Sequence, residues 1–359
     1  MNRVAYQPLQ QLVEQIFLRA GCHDDEAARI ARRLVRSNLV GHDSHGVIRV
    51  PSYIDWMRAG KVVPNQRPEV VFDGGSFAVV DAGFGFGQTA GEFALRLAIA
   101  KTEEHGVAVI ALRNAGHLGR IGDWPEMAAE AGKVSLHFVS TSGAGLLVAP
   151  FGGIDRRLSA NPIAAGIPVE GGRPIVLDIS TCSIAEGKIR VALNRGERVP
   201  DGCIIDGQGR PTNDPEVFYA DPGAILPFGG HKGYGLSVIT EILAEAFTGN
   251  GCSDPKAARL TNGMLTIVLD PGRVPRERPF GSEVDRLITF LKSARTSVPD
   301  GEILLPGELE ARTEAARVAT GIPLEQATRH QLARTAASFD LSADVLEVNF
   351  PGAPNAAMS

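Results

Sequence analysis

The stretch Gly41-His42-Asp43-Ser44-His45-Gly46-Val47-Ile48-Arg49 gathers two imidazoles, a carboxylate, a hydroxyl and a guanidinium. His45 and Arg49 are four positions apart, so on a helix they share a face. Ser44 is of a type that caps helix N-termini. An imidazole can take a hydroxyl proton as general base, and a guanidinium can clamp a carboxylate through two parallel hydrogen bonds. Together they suit the oxidation of a 2-hydroxy acid. Read as metal ligands, His42, Asp43 and His45 would form a hydrolase-type site, but no second closely spaced ligand pair accompanies them. The plain reading is a helix cap beside a surface arginine.

Four other stretches carry polar chemistry. "NAGHLGRIG" sets His117 and Arg120 in a loop entering a helix, where free N–H groups could hold an anion. "LDISTCSIAEGK" sets Asp178, Ser180, Thr181 and Lys188 around a strand-to-helix turn suited to ribose or phosphate. "FGGHKGYGL" opens a helix with His231 and Lys232, and its glycines let a ligand approach the backbone. "LLPGELEAR" places Glu308 and Glu310 in a first helical turn, where acids also serve as ordinary dipole partners.

A fifth stretch, "VVDAGFGFGQTAGEFAL", contains Gly85-x-Gly87-x-x-Ala90, a relaxed dinucleotide fingerprint between an apolar run and a helix. The preceding run reads as half of a hairpin, and Glu103 and Glu104 fall inside the following helix instead of at the end of the next strand. A single relaxed match is a weak signal. The alternative is a glycine turn packed closely against another segment.

These motifs need elements to carry them. Leu9, Leu12, Val13, Ile16 and Phe17 form one helical face stopped by Gly21, and a second helix runs from about Asp24 to Leu39. A helical period continues through Val47, Val50, Ile54 and Met57, tolerating Pro51 only in a first turn or at a kink. A hairpin is expected around Asp73-Gly74-Gly75, then a helix over 88–104 and the strand "VAVIAL". "KVSLHFV", "NPIAAGIP", "RPIVLDIS" and "MLTIVLD" read as further strands. Helices are expected at "IAEGKIRVALNRG" and "HKGYGLSVITEILAEAF", with an irregular excursion over 196–230. Two or three helices close the chain. The irregular alternation predicts an α/β protein with a mixed sheet, not a regular doubly wound one.

The 359 residues suggest about two domains. A net charge of −5 with scattered Lys and Arg gives no nucleic-acid footprint. No apolar run approaches the roughly 18 residues of a membrane helix. The N-terminus reads as an amphipathic helix without a signal-peptide core. Cys22, Cys182, Cys203 and Cys252 are widely spaced, which fits a reduced, cytoplasmic setting.

Taken in order, "GHDSHGV", "NAGHLGRIG", "SANPIAAGIP", "LDISTCSIAEGKI", "GGHKGYGL" and "LLPGE" resemble the malate/L-lactate dehydrogenase type 2 family, over nearly the whole chain to about residue 325. "NLVGHDSHG", "HFVS", "GCIID" and "ILLPGE" are most similar to its bacterial hydroxycarboxylate dehydrogenase branch. The resemblance implies a non-Rossmann, mixed-sheet NAD(P)-binding fold with helical N- and C-terminal parts, assembled as a homodimer. It implies an N-terminal helical and substrate part over 1–115 and a cofactor-binding domain over 116–285. C-terminal helices return to the core over 286–345, and 346–359 form a loose tail.

By matching position, the resemblance makes His45 the proton donor and acceptor, Ser44 its helper and Arg49 a substrate contact. It assigns cofactor binding to Gly119, Arg120, Ile121, Asp178, Ile179, Ser180, His231, Lys232, Asn262, Gly307 and Glu308. Asn161 and Pro162 would border the pocket. The cofactor is expected to be NAD, with NADP open because Arg120 could meet a 2′-phosphate; no metal is implied. The implied activity interconverts an L-2-hydroxy acid and its 2-keto acid, small molecules both. A nicotinamide-binding protein without turnover, or a cyclic-imine reductase of the same family, are the alternatives. Imine-reducing relatives carry an acid where this chain has Lys188, which counts against the last.

Overall fold

The computed structural model describes residues 2–348 except 144, 221, 258 and 276. The chain begins with β1 (Asn2–Val4), α1 (Tyr6–Arg19), α2 (Asp24–Leu39) and α3 (Val50–Arg58). Next come β2 (Glu69–Asp73), β3 (Phe77–Asp81), α4 (Gly87–His105), β4 (Val107–Ala115), α5 (Asp123–Glu130), β5 (Val134–Ser142), β6 (Ile163–Ile167) and β7 (Ile175–Ile179). An excursion holds α6 (Glu186–Arg195), β8 (Ile204–Ile205), β9 (Pro211–Thr212), α7 (Pro215–Ala220) and β10 (Ala224–Ile225). The rest is α8 (His231–Glu241), β11 (Thr261–Leu269), α9 (Phe280–Lys292), α10 (Glu308–Thr320), β12 (Ile322–Leu324) and α11 (Gln326–Ala337).

The main sheet has seven strands in the order β2-β3-β4-β11-β5-β6-β7. Only β3 and β4 run parallel, joined by α4; every other neighbouring pair is antiparallel. The sheet is therefore mixed, as its irregular sequence pattern implied. The chain leaves β3, β4, β5 and β7 and enters β11 at one edge, since Asn262 pairs Ala115 and Thr261 pairs Ser142. Loops gathered at the carboxyl ends of strands are the usual place for a ligand crevice in an α/β sheet.

Three larger apolar cores and one small one hold the described residues together. Ala90, Ala94, Leu95 and Ala98 of α4 and Trp124 and Ala128 of α5 pack on Ile110, Leu112 and Met264 of the sheet. Leu9, Ile16, Ile30, Leu34 and Ile54 of the N-terminal helices pack with Ile322, Leu324, Leu332 and Ala336 from the other end of the chain. β1 pairs β12 antiparallel beside this core. Ile189, Ile204, Phe218 and Ile225 fill the third core.

Two organisational expectations need correction. A boundary after residue 115 would cut the sheet, because β2, β3 and β4 are three of its seven strands. The helical N-terminal layer instead ends near Gly60, after α3. The segment 196–230 is not irregular: it folds β8, β9 and β10 into a three-stranded sheet around its own core. Its strands are two residues each, too short for alternation to be read. From residue 349 on, the expected tail lies outside the described residues.

Candidate active site

The segment 41–49 does not form the single helix that its spacing suggested. Asp43–His45 and Val47–Arg49 are separate 3₁₀ turns, with an extended Gly46 between them, and α3 starts at Val50 with Pro51 in its first turn. Ser44 caps nothing. Asn38, buried at the end of α2, dictates this path. Its Nδ2 donates to Asp43 Oδ1 (2.6 Å), and its Oδ1 accepts the Val47 N–H (2.8 Å). A Cβ on Gly46 would lie 2.1 Å from Asn38 Oδ1, so only glycine passes there.

His45 and Arg49 are nonetheless brought together through Ser44. The Ser44 hydroxyl meets His45 Nδ1 at 3.0 Å, and the Ser44 carbonyl accepts Arg49 Nε at 2.7 Å. α6 presses on the same point, since a Cβ on Gly187 would sit 2.9 Å from that of Ser44. Burial, then the nearby Arg49 charge, push the His45 imidazole down to about 3, so it is neutral near neutral pH.

The residue the sequence reading undervalued is His117. Its ring stacks on His45, centroids 5.6 Å apart and planes 15° apart. Its Nδ1 meets the Tyr53 hydroxyl at 2.7 Å, and Tyr53 Oη accepts from Gln88 Nε2 at 3.0 Å. Burial, with the Arg49 and His45 charges, holds His117 well below the usual imidazole range. Tyr53 and Gln88 carry no motif, so no sequence signal joined them to it. Two neutral imidazoles, each tied at Nδ1 to a hydroxyl, beside a guanidinium, form an acid–base and carboxylate-binding constellation.

The glycine cluster has a different task from nucleotide binding. The turn does close a β3-α4-β4 unit, as a fingerprint requires. A Cβ on Gly87, however, would lie 2.3 Å from the His117 carbonyl oxygen, and Gly116 N donates to Gly85 O at 2.8 Å. The loop after β4 fills the space that a pyrophosphate would need. The glycines let α4 approach His117, which brings Gln88 beneath it.

Most of the segments expected to hold a cofactor collect around the end of β7, whereas Gly307 lies against its start. Asp178 Oδ2 accepts the Gly122 N–H at 2.8 Å, at the start of α5. The anion expected at that helix terminus is thus the protein's own carboxylate. Arg120, 1% exposed in its side chain, pairs with Asp123 and Glu126 at 3.0 and 2.8 Å and lies 3.9 Å from Asp178. This corrects the expectation that its guanidinium could reach a 2′-phosphate: it braces the loop from within. Gly119, with φ of +75°, and the buried Ile121 shape that loop. Asn262 is also internal, its Oδ1 accepting Leu118 N–H and its Nδ2 donating to Ser140 and Thr141.

Gly307, φ +93°, lies against Val176, whose N–H donates to Pro306 O. Glu308 accepts from Leu305 N and Lys292. α10 also reaches back to the segment 41–49: Glu310 lies 3.4 Å from His42, and Arg317 pairs Asp43. Asn161 is fully buried and bonded to Ser140, Ser237 and Glu241, so it supports the wall of the crevice from inside.

Beyond β7 the chain runs alongside the approach to α8, with Phe228 N donating to Thr181 O and Ser183 N to Leu226 O. Ile179 is 38% exposed at the strand end, with Ser180 beside it. Gly229 and Gly230 both have positive φ, and they present exposed His231 and Lys232 at the first turn of α8. Two glycines that let a ligand approach the backbone, beside the exposed Lys232 ammonium, suit a diphosphate. The residues present therefore suit a dinucleotide lying over 179–180 and 229–232. Cys182, by contrast, is buried with its thiol pushed up by desolvation, which removes it as a nucleophile. Among the described residues no group of three or more His, Cys, Asp or Glu could hold a metal ion.

Comparison with known proteins identifies the family. The family model described as malate/L-lactate dehydrogenase matches residues 4–333. Hydroxycarboxylate dehydrogenase B of Escherichia coli K12 is 36% identical over 352 residues, 96% of this chain and 97% of that one. The solved sulfolactate dehydrogenase of Methanocaldococcus jannaschii superposes with a TM-score of 0.85 at 33% identity, covering 95% of this chain and 98% of that one. The delta1-piperideine-2-carboxylate reductase of Pseudomonas syringae pvar. tomato gives 0.82 at 34%, covering 94% and 100%.

Proposed function

The chain belongs to the malate/L-lactate dehydrogenase family, and on that premise we propose that it interconverts an L-2-hydroxy acid and its 2-keto acid with NAD or NADP. The observation that carries this reading is the His45–Ser44–Arg49 arrangement. Arg49 is held at Nε alone by Ser44, which leaves its two terminal nitrogens as the fork for a substrate carboxylate. His45, oriented through Nδ1, offers Nε2 to the hydroxyl proton in oxidation, and in reverse returns that proton to the oxygen. Both histidines start neutral, so the base is ready without a prior deprotonation.

The nicotinamide group, when bound, accepts or supplies the hydride. Ile179, Ser180, Gly229, Gly230, His231 and Lys232 would hold the nucleotide from outside. Gly119, Arg120, Ile121, Asp178, Asn262, Gly307 and Glu308 would shape its bed from beneath. Nothing in Arg120 favours NADP, since its charge is neutralised internally.

Imine reduction is a second reading, kept open by the similarity to the piperideine-2-carboxylate reductase. Lys188 is exposed on α6 and places no acid there to protonate an imine nitrogen. Cytoplasmic residence and assembly as a homodimer accompany the proposal; among the described residues no helix is long and apolar enough to cross a membrane. A screen of 2-keto acids and cyclic imines with NADH and NADPH tests the function. Reduction of keto acids faster than imines supports it. Binding of NADH without reduction of any keto acid would favour a carrier, and preferred imine turnover the reductase.

A further inference from the structure

The Gln88–Tyr53–His117 chain is buried machinery that the reaction above does not use. Gln88 is 1% exposed and Tyr53 1%. Tyr53 Oη lies between Gln88 Nε2 at 3.0 Å and His117 Nδ1 at 2.7 Å. Gln88 Oε1 is buried without any hydrogen-bond partner, although an unmet buried acceptor costs about 1–3 kcal/mol. A phenol hydroxyl has one proton to give, so its two neighbours cannot both accept from it. A half-turn of the Gln88 amide exchanges nitrogen and oxygen at nearly constant shape.

Two arrangements follow. With the amide nitrogen towards Tyr53, the hydroxyl accepts from Gln88 and donates to His117 Nδ1. His117 then carries its proton on Nε2, a donor suited to the oxygen of a 2-keto acid. With the amide oxygen towards Tyr53, the hydroxyl donates to Gln88 and accepts from His117 Nδ1–H. Nε2 is then bare, an acceptor for the hydroxyl of a 2-hydroxy acid on binding, before that single proton turns to His45 for the transfer. Both arrangements hold the same number of protons; the ring's proton has moved from Nε2 to Nδ1, exchanging with solvent water.

We propose that Gln88, acting through Tyr53, is a positioning residue that sets the tautomer of His117 and so lets one site hold the two acids in turn. The inference rests on the dehydrogenase reading above. Desolvation supports it, since it pushes the Tyr53 phenol up to about 12 and His117 well down. Neither group then ionises near neutral pH, which leaves the tautomer as the variable. The glycine turn at 85–87 is what admits Gln88, whose Nε2 lies 3.2 Å from where a Cβ on Gly119 would stand.

The test uses Gln88→Glu, whose ionised carboxylate only accepts and so fixes the second arrangement; because burial favours the neutral acid, the carboxylate infrared band is read to establish ionisation at the assay pH. Binding is measured in complexes that cannot turn over: pyruvate or oxaloacetate with NAD(P)+, and L-lactate or L-malate with NAD(P)H. We expect the variant to bind the keto acid about tenfold more weakly or worse while the hydroxy acid binds within about threefold of wild type. In the cofactor-free protein, 15N shifts of the His117 ring should move to an Nδ1–H tautomer. If Gln88→Glu does not fold, Tyr53→Phe serves, because it should make those shifts independent of which acid is bound. Equal weakening of both acids, or unchanged ring shifts in either variant, overturns the inference. If wild type binds neither acid, the dehydrogenase reading itself fails.

Discussion

The rings of His45 and His117 lie face to face, 5.6 Å between centroids, each tied by Nδ1 to a hydroxyl: Ser44 for one, Tyr53 for the other. They come from two separate segments, one from the turn after α2 and one from the loop after β4. Their spacing is therefore a property of the packed molecule. Charging one ring opposes charging the other, so the pair carries at most one positive charge at a time.

Ser44 fixes the working end of His45. Ser44→Ala should lower kcat about tenfold in steady-state assays with little change in KM, since Arg49 is held by the backbone carbonyl, which alanine keeps. An unchanged kcat would show that the ring needs no such restraint.

Arg120 is a structural strut of the loop leading into α5. Arg120→Met leaves Asp123, Glu126 and Asp178 facing one another without their shared cation, which should cost about 3–5 kcal/mol in urea denaturation. The preference between NADH and NADPH should not change. A variant of wild-type stability that has lost NADPH binding would reverse this assignment.

Gly87 admits α4 to the site. Gly87→Ala drives a methyl onto the His117 carbonyl, so it should cost about 1–3 kcal/mol and reduce activity with it. Denaturation midpoints and kcat measured together check this. Nucleotide affinity falling without loss of stability would point back to a phosphate loop.

How much of this could be read from the chain differs element by element. α1, α2 and the β2–β3 hairpin were legible because periodicity and glycine stops are local. The hinge at Gly46 was not, because it is imposed by Asn38, eight residues upstream and on another element. The Gly85–Gly87 turn shows the fingerprint spacing, yet what fills its hollow is the His117 backbone, 30 residues further on. Arg120 looked like a free cation because its carboxylate partners come partly from β7. Site residues that act through burial, such as Tyr53 and Gln88, leave no mark in spacing at all.

Acid should destabilise the fold in a particular window. His45 and His137 are held down to about 3 and His117 also lies well below its ordinary value, whereas in the unfolded chain all three titrate near 6.5. The unfolded state therefore binds more protons below pH 6.5, and stability falls as pH drops from there towards 3. Each group contributes up to about 1.4 kcal/mol per pH unit. Between about pH 6 and 5 the histidines are opposed by Glu245, whose carboxyl burial pushes up to about 8, so that it holds a proton in the folded state and loses it on unfolding. His137→Asn should remove about one proton's worth of the slope in urea titrations at these two pH values; an identical slope would place the acid sensitivity elsewhere.

The central claim is that the His45 imidazole moves the substrate proton in hydride transfer between a 2-hydroxy acid and a nicotinamide. The most direct measurement compares wild type with His45→Gln by NADH and NADPH absorbance over a panel of 2-keto acids. The account predicts clear turnover of at least one keto acid by wild type, and a loss of about 10²–10⁴-fold in kcat for the variant with nucleotide binding intact. Near wild-type turnover in His45→Gln, or a wild type that reduces no keto acid with either nucleotide, would contradict it.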